Sequence, residues 1–159
     1  MKKINIQTLV IALVIPQAAG FIGSIATLSN MEPWYGNIAK PAFNPPNWVF
    51  APVWTLLFLC MGIALYLVWQ HGKGEYQRLA LTLFGIQLGL NIAWSFLFFG
   101  AHQIGYAFVE IQALWLVILA TTIAFWKVRP AAGALMFAYL LWVSFAVFLN
   151  GVIWHLNAV

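Results

Sequence analysis

Five long apolar stretches follow one another along the chain, and each is long enough to cross a bilayer as a helix. They cover residues 6–28, 48–70, 80–101, 104–126 and 132–155. Transmembrane β-strands would instead show segments of roughly ten residues with alternating polarity, and no such alternation is visible. The pattern predicts an all-α membrane protein. We expect a five-transmembrane-helix bundle that forms one domain over residues 1–159.

The composition agrees with this pattern. Hydrophobic residues make up 64% of the chain and charged residues 6%, whereas a soluble domain usually carries about 25% charge. Ten charges cannot hydrate the surface of a soluble domain, so water-soluble enzymes and disordered proteins are excluded. Glu110 is the one charged residue inside the five stretches. The single cysteine, Cys60, excludes an internal disulfide and a cysteine-based metal cluster.

The first stretch has two interpretations. Lys2 and Lys3, a short apolar core and the small residues at 18–20 are typical of a cleavable signal peptide. Apolar residues continue to Leu28, however, which favours a retained transmembrane helix.

The basic residues predict the orientation of the helices. Six of them lie on one predicted side and one on the other: Lys2, Lys3, Lys73, Arg78, Lys127 and Arg129 against Lys40. By the positive-inside rule the larger group is cytoplasmic. The N-terminus is then cytoplasmic, while the C-terminus and the 29–47 loop are outside. The net charge of +4 reflects this topology, and we expect no nucleic-acid partner.

Loop 29–47 is the one long connection between the stretches. Its four prolines, at positions 33, 41, 45 and 46, restrict the backbone and predict an ordered loop that folds back on the bundle. The loop is either a lid over one end of the bundle or a simple connector with interfacial aromatic residues.

Groups for acid–base or metal chemistry are few. The histidines, at 71, 102 and 155, lie near the ends of different stretches, and the chain contains no aspartate. The spacing predicts no dedicated metal site and no obligatory cofactor. Glu110 lies six residues into the fourth stretch, about 9 Å deep at 1.5 Å per residue. It is either an interfacial or structural residue, or one that contacts a ligand or an ion.

Aromatic residues form three stripes at helical spacing. The stripes are Phe50, Trp54 and Phe58; Asn91, Trp94 and Phe98; and Trp142, Ala146, Leu149 and Asn150. They either pack the core or line an apolar cavity whose amides orient a flat ligand. Gly85 and Gly89 form a small-xxx-small face, which serves packing within one bundle or between two protomers.

One set of motifs resembles a known family. Trp34-Tyr35, Lys40-Pro41, Asn44-Pro45-Pro46 and the run from Trp48 to Trp54 are similar to the TspO/MBR family, which includes bacterial tryptophan-rich sensory proteins and the mitochondrial translocator protein. The similarity extends over essentially the whole chain. It implies that the first stretch is a retained helix.

The resemblance also implies a ligand site. Family members are five-helix bundles, commonly dimeric, that bind porphyrins, sterols, isoquinoline carboxamides and benzodiazepines. Positions matching the family pocket are Phe43, Phe50, Trp54, Asn91, Tyr106, Ala107, Glu110, Trp142, Ala146 and Leu149. The stripes add Phe58 and Trp94. A bacterial member degrades porphyrin in light through tryptophans that match Trp54 and Trp142.

The chain departs from the family pattern in two places. Phe43 replaces a loop tryptophan, while Gly151 and His155 replace the tyrosine and basic residue of the animal sterol motif. The departures predict a bacterial protein whose ligand is a tetrapyrrole such as porphyrin or heme.

The residues, together with the family resemblance, suggest three functions. The first is a homodimeric membrane receptor or transporter for flat hydrophobic ligands, and the second is a light-dependent porphyrin-degrading protein that uses Trp54 and Trp142. The third is a scaffold whose aromatic residues only pack.

Overall fold

The computed structural model describes residues 4–158 and contains five long helices. They are α1 (Ile6–Asn30), α2 (Asn47–His71), α3 (Gly74–Ser95), α4 (Ile104–Val128) and α5 (Pro130–Asn157). All five are long and apolar enough to cross a membrane, which confirms the predicted helical membrane fold. Lys2, Lys3 and the C-terminal Val159, on which part of the orientation prediction rests, lie outside the described residues.

Every helix differs from its predicted stretch at one or both ends, and two of the differences exceed two residues. Helix α3 begins at Gly74, six residues before position 80, because Glu75 and Arg78 extend the helix beyond its apolar part. Hydropathy predicts which residues lie in the hydrocarbon region of a membrane. It does not predict where the helix itself begins, because polar residues can extend it beyond the apolar segment. At its far end α1 continues into a π-helical turn, Met31–Tyr35. The irregular part of the predicted loop is therefore 36–46, which we call the cap loop.

The helices form a closed ring in the order α1, α2, α5, α4, α3. One large apolar cluster fills the bundle, and its fully buried members include Met61, Ile118 and Met136. A second cluster lies at the end that carries the cap loop, where Tyr35 packs with Phe98 and Phe99. A second π-helical turn, Phe96–Gly100, follows α3 in this region. The aromatic residues thus concentrate at the cap-loop end.

Helices α1 and α2 approach each other closely in the half of the bundle away from the cap loop. A Cβ atom added to Gly62 would lie 2.8 Å from Leu13 Cα and 2.9 Å from the Ala12 carbonyl oxygen. Gly85 and Gly89 on α3 behave differently, since no atom lies within 4 Å of a Cβ added at either position. The backbone contact at Gly62 therefore fixes the spacing of α1 and α2, while the glycines of α3 face outward.

We predict that Gly62→Leu destabilises the bundle, because the new side chain would have to push α1 away from α2. Overpacking of this kind costs about 1–3 kcal/mol. Thermal unfolding in detergent, followed by circular dichroism, measures the effect. Gly85→Leu is the matched control, since its side chain enters open space. Equal unfolding temperatures for Gly62→Leu and Gly85→Leu would contradict the assigned contact.

Candidate functional site

The cap loop is held in one conformation by Lys40. Its ammonium group donates hydrogen bonds to the carbonyl oxygens of Tyr35 at 2.6 Å, Ile38 at 2.8 Å and Gly36 at 3.3 Å. The Tyr35 hydroxyl donates to Asn44 Oδ1 at 2.9 Å. These bonds satisfy the carbonyl groups where the π-helical turn ends. Lys40, the one Lys or Arg on the predicted outer side, thus orders the cap loop.

The cap loop is also attached to the end of α5. The Ala39 amide donates to Asn157 Oδ1 at 3.0 Å, and Asn157 Nδ2 donates back to the Ala39 carbonyl at 2.9 Å. Phe43 stacks on Phe148 with ring centroids 5.4 Å apart. The loop is therefore fixed against the end of α5. Its role as a lid stays a prediction.

A cavity of about 630 Å³ lies at this end of the bundle, within the size range of small-molecule sites. Residues of α1, α2, α3, α5 and the two π-helical turns line it. The three aromatic stripes meet there: Phe50, Trp54, Phe58, Asn91, Trp94, Phe98, Trp142, Ala146, Leu149 and Asn150 all lie on its wall. Eight of the twelve predicted ligand-binding residues are thus brought together, although their role in binding stays a prediction.

The other four predicted ligand-binding residues lie away from this wall. Tyr106 is 70% exposed on the surface of α4, and Ala107 is buried in the packing of the cap-loop end. Phe43 packs on Phe148, and Glu110 is not among the lining residues. Three of the four belong to α4, which contributes nothing to the wall. These residues were chosen because they match pocket positions of the family along the sequence. Such a match does not show which side of a helix faces the cavity.

Helix α1 supplies a wall that the sequence interpretation missed. Gln17, Gly20 and Ser24 line the cavity, and the Phe58 ring lies directly against Gly20. The small residues of the first stretch were the available signal, since they allow an aromatic ring to approach the backbone. Gln17 Nε2 also donates to the Thr55 carbonyl at 3.2 Å, which joins α1 to α2 beside the cavity.

The cavity is bordered by side chains exposed on the outside of the bundle. Phe21 and Leu28 on α1 are 71% and 74% exposed, and Trp48 on α2 is 75% exposed. Phe21 lies inside its predicted span, whereas Leu28 and Trp48 lie at the ends of theirs, so in a membrane these side chains would face lipid tails or the interface. The cavity is therefore bordered on the outside of the bundle by apolar side chains of α1 and α2.

The tryptophan N–H groups fall into two classes. Trp94 Nε1 donates to Asn150 Oδ1 at 3.0 Å, and Trp115 Nε1 donates to Ser144 Oγ at 2.8 Å. Asn150 Nδ2 in turn donates to the Ile104 carbonyl at 3.2 Å, so this network ties α3, α4 and α5 together. Trp54 and Trp142 line the cavity, and their N–H groups have no acceptor among residues 4–158. They are free to donate to a ligand.

The lining is polar in places but uncharged. Tyr35 is its one residue with an ionisable side chain, and Asn47, Ser95 and Thr27 are among its polar members. No group of three or more His, Cys, Asp or Glu side chains is placed to hold a metal ion in the described part of the chain. The arrangement therefore suits binding through apolar contact and a few hydrogen bonds.

We predict that Trp94→Phe destabilises the bundle more than Trp54→Phe or Trp142→Phe. The first change leaves buried Asn150 Oδ1 without its donor, which costs about 1–3 kcal/mol, while the other two remove no hydrogen bond. Unfolding temperatures of the three variants in one detergent provide the comparison. If the unfolding temperatures of all three variants decrease equally, the distinction between hydrogen-bonded and unbonded indole N–H groups is wrong.

Comparison with known proteins gives a consistent result. Residues 12–155 match the model of the TspO/MBR family. The chain is 41% identical over 154 residues to Tryptophan-rich protein TspO of Archaeoglobus fulgidus, which covers 97% of this chain and 99% of that protein. It is 39% identical to Translocator protein of Homo sapiens, covering 89% of this chain and 85% of that protein. Tryptophan-rich sensory protein of Cereibacter sphaeroides is 36% identical, with 88% and 87% covered.

Proposed function

The chain belongs to the TspO/MBR family of multi-pass membrane proteins, and we propose that it is a receptor or transporter for porphyrins and other flat hydrophobic ligands. Sterols and drugs of the isoquinoline carboxamide or benzodiazepine type belong to the same ligand class. Porphyrin or heme is the preferred ligand, and the protein has a regulatory or stress-sensing role in tetrapyrrole metabolism.

The aromatic lining of the cavity carries this proposal. Phe50 contacts Trp142 edge to face with centroids 6.3 Å apart, and Trp54 lies 5.5 Å from Phe58. Offset and edge-to-face arrangements leave ring faces and edges available to a planar molecule, and aromatic contacts contribute about 0.5–1.5 kcal/mol beyond burial. The free N–H groups of Trp54 and Trp142 supply hydrogen bonds to acceptor atoms at the periphery of such a molecule.

The exposed apolar side chains that border the cavity on α1 and α2 support a membrane-dissolved ligand. A flat apolar molecule concentrates in the bilayer, and the exposed rims at Phe21, Leu28 and Trp48 border the cavity from that side. Hydrogen bonds order the cap loop and attach it to the end of α5, which supports a role for this loop as a lid. A ligand of this class therefore needs no passage through water.

A second candidate function is light- and oxygen-dependent degradation of porphyrin. The observation that favours it is that Trp54 and Trp142 line the same cavity. Each indole is then close to a bound porphyrin, whose excited state can oxidise it. Phenylalanine keeps the ring packing but lacks an easily oxidised indole.

We predict that Trp54→Phe and Trp142→Phe weaken porphyrin binding several-fold, in line with the loss of about 0.5–1.5 kcal/mol of aromatic contact. Any light-driven loss of the Soret band should decrease much more. Fluorescence quenching by protoporphyrin measures binding, and aerobic against anaerobic illumination measures chemistry.

Trp126→Phe is the control for that comparison, since Trp126 lies on α4 and does not line the cavity. Equal behaviour of all three variants would place the ligand elsewhere. A titration of the parent protein with heme, protoporphyrin and cholesterol in lipid tests the function itself. If none of them binds, the aromatic residues serve packing alone, and the scaffold function remains.

We also propose that the protein is a homodimer in the membrane, joined through α3. Gly85 and Gly89 are exposed, and a shallow groove lined by Ala93, Leu97 and Ala101 among others continues the same helix. Small residues at this spacing let two helices approach closely.

We predict that Gly85→Leu and Gly89→Leu weaken the dimer while the monomer still folds, because both side chains would enter open space within one protomer. Chemical cross-linking in lipid measures dimerisation, and unfolding temperature measures the fold. Dimers of unchanged abundance in both variants would rule out this face of α3.

A further inference from the structure

A cluster of basic side chains lies at the end of the bundle away from the cap loop. Its members are exposed and flank the start of α3 and the end of α4: Lys73, Arg78, Lys127 and Arg129. The rings of Phe84 on α3 and Phe125 on α4 stack with centroids 5.6 Å apart, so these two helix ends lie side by side. We call the four basic residues the basic patch.

The charge of the basic patch is not neutralised within the described part of the protein. None of its four side chains forms an ion pair or a hydrogen bond with another residue among positions 4–158. The chain has three acidic residues, and two of them, Glu32 and Glu110, lie toward the cap loop. Glu75 is therefore the one carboxylate near the patch. A surface with four unpaired cations beside one carboxylate attracts anions.

The basic residue at the opposite end is used differently. The Lys40 ammonium group donates to the carbonyl oxygens of Tyr35, Gly36 and Ile38, and it lies 4.9 Å from the centre of the Tyr35 ring. Polar groups of the protein therefore surround its charge. The two ends of the bundle thus differ in the availability of their cations as well as in their number.

Aromatic side chains place the basic patch at the depth of lipid headgroups. Tyr76 on α3 and Trp126 on α4 are exposed beside these cations. Trp126 packs against Gly133 of α5, where an added Cβ would lie 2.6 Å from Trp126 Cβ. Exposed Trp and Tyr side chains of membrane proteins concentrate at the boundary between hydrocarbon and headgroups. The neighbouring cations then lie at the level of the phosphate groups.

We propose that the basic patch is a binding site for the headgroups of anionic phospholipids. Arg78 and Arg129 each have the planar group that donates paired hydrogen bonds to a phosphate, while Lys73 and Lys127 act as point charges. A cation near an anionic bilayer surface strengthens association about fivefold. Lipid bound here bridges the adjacent ends of α3 and α4. The site is separate from the cavity and does not depend on the function proposed for it.

A lipid headgroup, and not a soluble phosphate ion, is the occupant to which the position of the patch points. A lipid phosphate is confined to the bilayer at the depth of the patch, so its local concentration is high there. An inorganic phosphate ion has to be drawn from solution, where salt screens the exposed charges of the patch.

Lipid selectivity measured by electron spin resonance tests this proposal. The full-length protein is reconstituted in dioleoylphosphatidylcholine vesicles with a trace of spin-labelled phosphatidylglycerol or spin-labelled phosphatidylcholine. The motionally restricted fraction measures the association of each label with the protein. Phosphatidylglycerol should associate about two- to fivefold more strongly. This preference should decrease in about 1 M salt, where the Debye length is about 3 Å.

Two pairs of substitutions locate the site. Lys73→Gln with Arg78→Gln, and Lys127→Gln with Arg129→Gln, should each reduce the preference about twofold, because each pair removes two cations. The charge-retaining pair Lys127→Arg with Arg129→Lys should keep it. Lys40→Gln, which removes a cation at the other end, should keep it as well. If one neutralising pair fails to fold, the other still decides the outcome.

Several results would overturn the proposal. One is equal association of the two labels with the parent protein, and another is a preference that both neutralising pairs or high salt leave unchanged. A decrease in Lys40→Gln equal to that in either pair would attribute the preference to net charge alone. Full competition by inorganic phosphate at constant ionic strength would assign the patch to a soluble anion instead of a lipid. None of these results concerns the cavity, which the porphyrin titration tests separately.

Discussion

The absence of water from the hydrocarbon region is the constraint on which this structure depends. A polar side chain within the bundle is stable only with a hydrogen-bond partner inside the protein. Lipid tails offer no such partner, so an unpaired group raises the free energy of the folded state. Asn150 meets the requirement with Trp94 and the Ile104 carbonyl, and Ser144 meets it with Trp115 and the Leu140 carbonyl. These bonds also connect the helices, so the same groups that remove the penalty specify how α3, α4 and α5 pack.

The constraint gives meaning to the groups that stay unpaired. Trp54 and Trp142 keep free N–H groups on the cavity wall, whereas Trp94 and Trp115 do not. Both carboxyl oxygens of Glu110 are buried without a hydrogen-bond partner among the described residues. In a soluble protein such groups could turn toward water. In a membrane bundle they indicate where a ligand, a water molecule or a neighbouring side chain completes the site.

Small residues shape the cavity as much as aromatic residues do. At Gly62 the backbones of α1 and α2 touch, which fixes the closed end of this helix pair. Toward the cap loop, Gly20 accommodates the ring of Phe58 against α1, and the two helices enclose space between them. Asn157 and Lys40 then hold the loop over that space through backbone hydrogen bonds. Gly20 and Gly62 set how closely α1 approaches α2 and so help to set the volume of the cavity. The indole rings of Trp54 and Trp142 provide its aromatic surface and its free N–H donors.

The sequence by itself determined the five spans, the aromatic stripes of α2, α3 and α5, and the proline-rich connection. These features could be predicted because hydrophobicity, helical periodicity and proline content are local properties of a chain. Tertiary structure alone decided which stripes meet, that α1 supplies a fourth wall, and that Tyr106, Ala107 and Glu110 of α4 lie off the cavity. Periodicity shows which residues share a helix face, but the neighbour of that face depends on the ring order of the helices. Hydrogen-bond pairing likewise joins residues far apart in sequence, as Trp94 and Asn150 show, so no local pattern could predict it.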